Sequence, residues 1–285
     1  MATVVFEDEG VTVSAPQGGR VMDLADEHPA TAVPFSCRFA NCGTCRVEVT
    51  EGLELCEPAT EREARDLARA LVATARGAGC PTDACITGMD APLLPVAGNA
   101  LEIAASMEVL TGAAPHPALR QLVEVLGGRL LVLGGLAGDD AGGAAAIARA
   151  LDSGRAAEVF GAMVAHQGGP ADFVARWRAH LPVAPVQAAV PAPAGGVIER
   201  WDTRALGLAI VALGGGRARE GDAIDHRVGL AGILPVGARV ASGEPVAIVH
   251  AADEAGAARA RQAVAAAVRV GPGPAAPRPL IHGWV

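Results

Sequence analysis

The sequence predicts an α+β chain in several parts: a short strand-rich front end, a long helical stretch and a small mixed module at the end. Three observations lead there. Two β-rich runs, Thr3–Phe6 and Val11–Val13, flank the acidic turn Glu7-Asp8-Glu9-Gly10. From residue 60 to 180, apolar residues recur at helical spacing between Gly, Pro and Ser-Gly breaks. Beyond a Pro- and Ala-rich stretch, short β-rich runs alternate with two helical ones. The chain has 285 residues, 51% of them hydrophobic and 19% charged, so it can bury real cores, in two or three domains of about 100–200 residues each.

Each element has a local reason. After the 3–15 hairpin, Gly18-Gly19 gives way to a short amphipathic helix with Val21, Met22, Leu24 and Ala25 on its apolar side. A loop over 31–45 carries three cysteines, and Arg46–Thr50 alternates as a strand, an order that is β-grasp-like. Thr60 with Glu63 forms a capping box ahead of Ala64, Leu67, Ala68, Leu71 and Val72, and Gly77 and Gly79 end that helix. Asp83–Thr87 reads as a short strand. Helices follow over 99–111, 117–130, 139–152, 155–167 and 172–180, with Asp139-Asp140 suited to a helix start. Residues 182–196 have the composition of a semi-rigid linker. The last module reads as strand 197–199, helix 203–213, the loop Gly214-Gly215-Gly216, a hairpin over 236–251 with Ser242-Gly243 at its tip, and a closing helix over 252–270.

Composition narrows the chemistry. Aromatics are 3% of the chain, with no Tyr, which disfavours base stacking and hence nucleic-acid binding. All 23 basic residues are Arg, so there is no lysine for a P-loop, a Schiff base, or biotin or lipoyl attachment. The net charge of −8 is carried entirely by residues 1–66, with 13 Asp/Glu against 5 Arg. Such an acidic front end is soluble by itself, disfavours an anionic membrane, and suits docking to a basic redox partner protein. The first 30 residues are acidic and lack an apolar core segment, and no run approaches 18 apolar residues. The expectation is a cytoplasmic protein with no membrane span.

Cys37-Arg38-Phe39-Ala40-Asn41-Cys42-Gly43-Thr44-Cys45 is a C-x4-C-x2-C run. Thiolates so spaced in a Gly-containing loop can converge on a [2Fe–2S] rhomb, with backbone N–H groups bonding its sulfides. Three buried free thiols or a structural zinc are the competing readings. Residues 1–57 resemble the plant-type and adrenodoxin-like [2Fe–2S] ferredoxin family, through Pro34-Phe35-Ser36-Cys37-Arg38 and Cys42-Gly43-Thr44-Cys45-Arg46. The resemblance implies a partial β-grasp segment binding a [2Fe–2S] cluster through Cys37, Cys42, Cys45 and a fourth cysteine. Cys80 fits the family spacing best; Cys56 and Cys85 are the alternatives.

The rest of the chain has a second resemblance. Gly77-Ala78-Gly79-Cys80-Pro81-Thr82, Ile86-Thr87-Gly88-Met89-Asp90-Ala91-Pro92-Leu93 and Ala97-Gly98-Asn99-Ala100-Leu101-Glu102 are similar to the pyrimidine-nucleoside phosphorylase family, the thymidine phosphorylases most closely. So are Gly154–Phe160, Asp202–Gly207, and Gly214-Gly215-Gly216-Arg217 with Asp225. The likeness runs from about 58 to 270. It implies an incomplete α/β domain over 58–181, the linker 182–196, and a C-terminal α+β, barrel-sandwich-like module over 197–285. It also implies a parallel sheet lacking its leading strands, with an edge and apolar faces exposed, and therefore self-association or a need for a partner.

The family's reaction converts thymidine and phosphate to thymine and 2-deoxyribose 1-phosphate. The resemblance implies a phosphate co-substrate held on a Lys-His-Ser-Thr-Gly-Gly loop, with the base held by Arg, Ser and Lys. That loop does not occur in this sequence, and no lysine does, so no catalytic residue is assigned. Gly214-Gly215-Gly216-Arg217 reads as a structural loop rather than a phosphate cradle. His116, His166, His180, His226 and His250 are scattered without metal-ligand spacing. A swinging-arm carrier would need a lysine where Ser242-Gly243 stands. Three functional readings follow: a phosphorylase-family chain that is catalytically incomplete alone, a [2Fe–2S] electron-transfer protein with a phosphorylase-derived scaffold, or a fusion without a selected function.

Overall fold

The two β-rich runs at the front of the chain pair as expected. Strand β1 (Ala2–Phe6) lies antiparallel to β2 (Val11–Ala15), with Val4 opposite Val13. Val13 is buried while Thr12 and Ser14 are exposed, the period-2 alternation of a half-buried strand. The computed structural model describes residues 2–6, 11–15, 61–217, 219, 221–276 and 278–285. It divides into two units, 1–59 and 60–285. The expected helix in the twenties, the cysteine loop, the strand over 46–50 and the cap residue Thr60 lie outside the described residues.

The second unit opens with α1 (Glu61–Gly77), which closes on Gly79 in the left-handed region at φ 82°. The short strand β3 (Cys85–Thr87) follows. Five helices come next: α2 (Asn99–Thr111), α3 (Pro117–Leu133), α4 (Asp140–Asp152), α5 (Arg155–His166) and α6 (Phe173–His180). Their starts are written locally. Pro117 sits at the first turn of α3, and the Asp139 carboxylate accepts the Gly142 N–H at 2.7 Å to cap α4. Helices α3 and α4 cross at Gly128 and Gly143, where a Cβ on either would fall on the other's backbone. A small core of Met107, Phe173 and Trp177 ties α2 to α6.

The C-terminal module is built from two three-stranded antiparallel sheets, β4-β8-β6 and β7-β5-β9. Their strands are β4 (Val186–Pro191), β5 (Gly196–Trp201), β6 (Gly229–Ala231), β7 (Arg239–Val240), β8 (Pro245–Ala251) and β9 (Val268–Gly271). Helices α7 (Thr203–Ala212) and α8 (Glu254–Ala267) pack with them, each capped by an aspartate, Asp202 and Asp253. Val190, Ile198, Trp201, Leu206, Leu230, Val246, Val249 and Val264 form one continuous core. The Trp201 indole donates to the Leu234 carbonyl at 2.9 Å, so the ring is buried without an orphaned donor.

Three sequence expectations are corrected. The 182–196 stretch is not a linker: Val186–Pro191 is β4, paired along its length with β8. The strand's one proline, Pro191, stands at its end opposite Pro245, so the N–H groups of 186–190 remain for the ladder, and Val186 and Val190 face inward. The segment 236–251 is not a hairpin, because β7 pairs with β5 while β8 pairs with β4 and β6. Ser242-Gly243 turns the chain from one sheet to the other. Finally, every strand pairing among the described residues is antiparallel. Strand β3 pairs with β10 (Ile281–Trp284) from the C-terminus, so the expected parallel sheet does not form among these residues and one edge of β3 is covered.

Candidate functional site

Of the four cysteines assigned to the cluster, Cys37, Cys42 and Cys45 lie outside the described residues, as does the alternative Cys56. Cys80 is free and exposed. It sits where α1 unwinds, its N–H bonded to the Ala75 carbonyl at 2.9 Å and its own carbonyl accepting the Thr82 hydroxyl at 3.0 Å. Cys85 is free and half-buried on β3, and burial pushes its thiol up, away from the thiolate that binds metal. Of the two, Cys80 has the access a cluster ligand needs. No group of three His, Cys, Asp or Glu among the described residues is placed to hold a metal ion.

Between these cysteines lies an ionic cluster that sequence reading missed. Asp83, its side chain only 7% exposed, is bonded by Arg76 from α1 and by Arg129 from α3 at 2.6 Å. Burial raises its carboxyl pKa, but hydrogen bonds from Arg129 and Arg76 outweigh burial and hold it below the usual carboxylate range. Arg129 also binds Asp140 of α4 at 3.0 Å and lies 5.6 Å over the Trp284 ring of β10. The cluster is closed on itself, and its work is to fasten α1, α3, α4 and β10 around β3. No periodicity announces it, because its members are spread over some two hundred residues.

The motifs carrying the phosphorylase resemblance meet one another. The Thr203 hydroxyl donates to the Met89 carbonyl at 3.0 Å, and the Asn99 amide donates to the Gly215 carbonyl at 3.1 Å. Ala97 and Leu230 exchange backbone hydrogen bonds at 2.9 and 2.7 Å. Gly98, at φ 130°, lies against Val228 and Gly229 so closely that a Cβ would meet the Val228 carbonyl at 2.6 Å. Its N–H is bonded by the Glu102 carboxylate at 2.9 Å. These residues seam the helical stretch to the C-terminal module.

The same geometry disposes of the glycine loop as an anion site. Gly214-Gly215-Gly216 follows the C-terminus of α7, the negative end of the helix dipole. The Gly214 and Gly215 N–H groups are already bonded to Val211 and Ile210 carbonyls at 2.9 Å. Asp225 is held by Arg227 through two hydrogen bonds at 2.9 and 2.7 Å, and Asp90 by Arg278 at 3.0 Å. A cleft of roughly 380 Å³ between α2, α3, α4 and α5 includes Thr111, Arg120, Asp152 and Ser153. There Arg120 is bonded by both Glu124 and Asp152 at 2.7 Å, which leaves it no free charge for a phosphate. The histidines serve locally: His116 bonds Glu108 and His180 bonds Asp172, each at 2.8 Å. No helix among the described residues is long and apolar enough to cross a membrane.

Comparison with known proteins fits this division of labour. Residues 197–271 match the pyrimidine nucleoside phosphorylase C-terminal domain, and residues 4–86 match the 2Fe-2S iron-sulfur cluster binding domain. The chain is 50% identical over 207 residues to the thymidine phosphorylase of Burkholderia orbicola (strain MC0-3), covering 73% of this chain and 47% of that protein. The Burkholderia cenocepacia (strain HI2424) enzyme is 49% identical over the same length. The Burkholderia lata enzyme is 49% identical over 201 residues, or 46% of its length. The chain spans about half the length of the curated relatives it matches. The [2Fe–2S] match contains all six cysteines and runs past residue 60 through α1 into β3.

Proposed function

We propose that this chain, which joins a [2Fe–2S]-type segment to the C-terminal part of a thymidine phosphorylase, does not by itself phosphorolyse thymidine. The observation that carries this reading is the absence of lysine from all 285 residues. Phosphorolysis needs fixed cations and donors where phosphate charge sits and where charge develops on the departing base. Loss of one preorganised donor typically costs about 10²–10³ in rate, and here several are gone together. Arg120 in the cleft, and Arg227 and Arg278 beside the motifs, are each paired with aspartate or glutamate, so they are poor substitutes. The retained motifs act as architecture. The test is phosphate-dependent release of thymine by the purified chain, where no turnover above background is expected. A rate near that of ordinary family enzymes overturns the reading.

A second reading is favoured by the 2Fe-2S domain match over 4–86. In it the chemically active element is Cys37, Cys42 and Cys45, with the exposed Cys80 as fourth ligand. A [2Fe–2S] cluster would supply one-electron transfer. The acidic 1–66 segment would present it to a basic protein partner. Anaerobic reconstitution is expected to give a brown protein whose colour is lost in Cys42→Ser. Loss of colour in Cys80→Ser, but not in Cys85→Ser, is the expected ligand pattern. A colourless product, or one tightly bound zinc, removes the electron-transfer reading.

A further inference from the structure

Strand β10 is fastened to β3 by its ladder and by two arginines that grip it from opposite faces. Ala84 and Val285 exchange both backbone hydrogen bonds, at 3.0 and 2.9 Å, and the Gly88 N–H donates to the Leu280 carbonyl at 2.9 Å. Residues directly opposite in an antiparallel pair share a face, and successive pairs alternate. Gly283 pairs with Ile86. On that face the Arg65 guanidinium of α1 lies 3.4 Å from where a Gly283 Cβ would stand, and it donates to the His282 carbonyl at 2.7 Å. Trp284 pairs with Cys85 on the other face, and Arg129 of α3 lies over the indole. Just ahead of β10, Arg278 bonds Asp90 at 3.0 Å.

Those arginines keep their own partners whether or not β10 is present. Arg65 is held by Glu61 at 2.8 Å, and Arg129 by Asp83 and Asp140 at 2.6 and 3.0 Å. Departure of β10 therefore strands no buried charge, the event that makes breaking an interior ion pair costly. What is lost is the ladder, one charge-assisted hydrogen bond, the Arg129–indole contact and the Arg278–Asp90 pair. The last is worth little, with side chains 72% and 46% exposed, and water replaces the backbone bonds. Little core goes with the strand. Residues 280–285 are half-buried and 278–279 exposed, and none joins the core of Val190, Ile198, Leu230 and Val249. Elements with few fully buried contacts open locally ahead of the whole.

We infer that β10 is a strap that opens and recloses over β3 as a unit while the rest of the fold stays intact. Opening uncovers the face of β3 on which Cys85 stands, because Trp284 is its cross-strand neighbour there. Cys85 is half-buried in the ribbon, whereas Cys80, outside it, is exposed. The two thiols are thus reached differently, Cys80 directly and Cys85 by way of the open strap. This goes beyond both functional readings, and neither phosphorolysis nor cluster assembly enters its test.

The test is native-state hydrogen exchange of the full chain in low denaturant, alongside N-ethylmaleimide labelling with sites assigned by tandem mass spectrometry. The Ala84, Gly88 and Val285 amides are expected to exchange together. Their denaturant dependence should be weaker than that of the β8 amides, because opening exposes less surface than unfolding. Cys85 is expected to label more slowly than Cys80 and in step with those three amides. Arg65→Ala removes one grip and leaves Glu61 at the surface; it should speed both processes about tenfold, with β8 exchange unchanged. Trp284→Ala should speed Cys85 labelling in the same way, and Trp284→Phe should return most of the protection. Exchange of the three amides with the denaturant dependence of β8 overturns the inference, since β10 then belongs to one cooperative core. Labelling of wild-type Cys85 as fast as Cys80 overturns it too, because no closed strap then exists. Rates indifferent to both Arg65→Ala and Trp284→Ala do the same.

Discussion

The C-terminal module and the helical stretch before it are made of the same Ala-, Val- and Leu-rich sequence, yet they bury it differently. Within 186–271, the two sheets and two helices enclose Val190, Ile198, Leu230, Val246, Val249 and Val264 almost completely. Among the described residues there, Leu208 is the one large apolar side chain left exposed. Within 99–180 the buried core shrinks to Met107, Leu151, Phe173, Trp177 and a few small residues. Ile103, Val123, Leu126, Leu130, Leu136, Val159 and Met163 are exposed there, Leu130 by 69% and Leu136 by 79%. Sheets that pack face to face close a core from within, whereas helices patterned on more than one face need neighbours on each of them. Composition therefore does not decide whether a segment closes its own core. Architecture does.

Substitutions can break or sharpen this contrast. The largest effect is expected in the closed module: Trp201→Ala should cost about 3–5 kcal/mol, from the lost ring volume and the unpaired Leu234 carbonyl. Chemical denaturation measures it, and a loss under 1 kcal/mol would show that the module is not the tight half. An intermediate effect is expected at the ionic cluster around β3. Asp83→Asn should cost about 1.5–3 kcal/mol, the worth of hydrogen bonds to charged groups. Because the folded-state pKa of Asp83 is depressed, its contribution is present above the unfolded value of about 3.9 and is lost as pH falls through and below it. The wild type should therefore lose stability relative to Asp83→Asn on acidification from pH 5 to 2. Parallel pH curves would dissociate Asp83 from the fold. The smallest effect is expected on the exposed face of α3. Leu126→Glu/Leu130→Glu should change stability by within about 0.5 kcal/mol per site while lowering any self-association seen by light scattering. A large destabilisation would mean that this face is already covered.

Much of the helical stretch was legible residue by residue. Asp139, at the helix start marked by Asp139-Asp140, stands one position ahead of α4 and accepts the N–H three residues on, whereas the same role of Asp202 and Asp253 in the C-terminal module came only with the structure. Gly112 in the left-handed region ends α2 where the periodicity stops. Those signals are local, so a window of a dozen residues holds them. The Asp83 cluster was not legible, because Arg76, Arg129 and Asp140 come to it from three separate helices. The seam at Gly98 and Asn99 was legible as a resemblance but not as a function. Its glycine is required by a backbone approach from Val228 and Gly229 that nothing local encodes.

By itself the sequence determined most of the helices, the double kinship, the acidic front end and the lack of lysine. Those are properties of residue type and short spacing. Tertiary structure alone decided that a Pro- and Ala-rich stretch is an edge strand paired with β8, that the run over 236–251 is split between two sheets, and that the C-terminus returns to pair with β3. The reason is that a strand is completed by hydrogen bonds to a neighbour at any distance along the chain. Val186–Val190 carries the alternation and the free N–H groups a strand needs, but which ladder it joins depends on β8 standing open beside it.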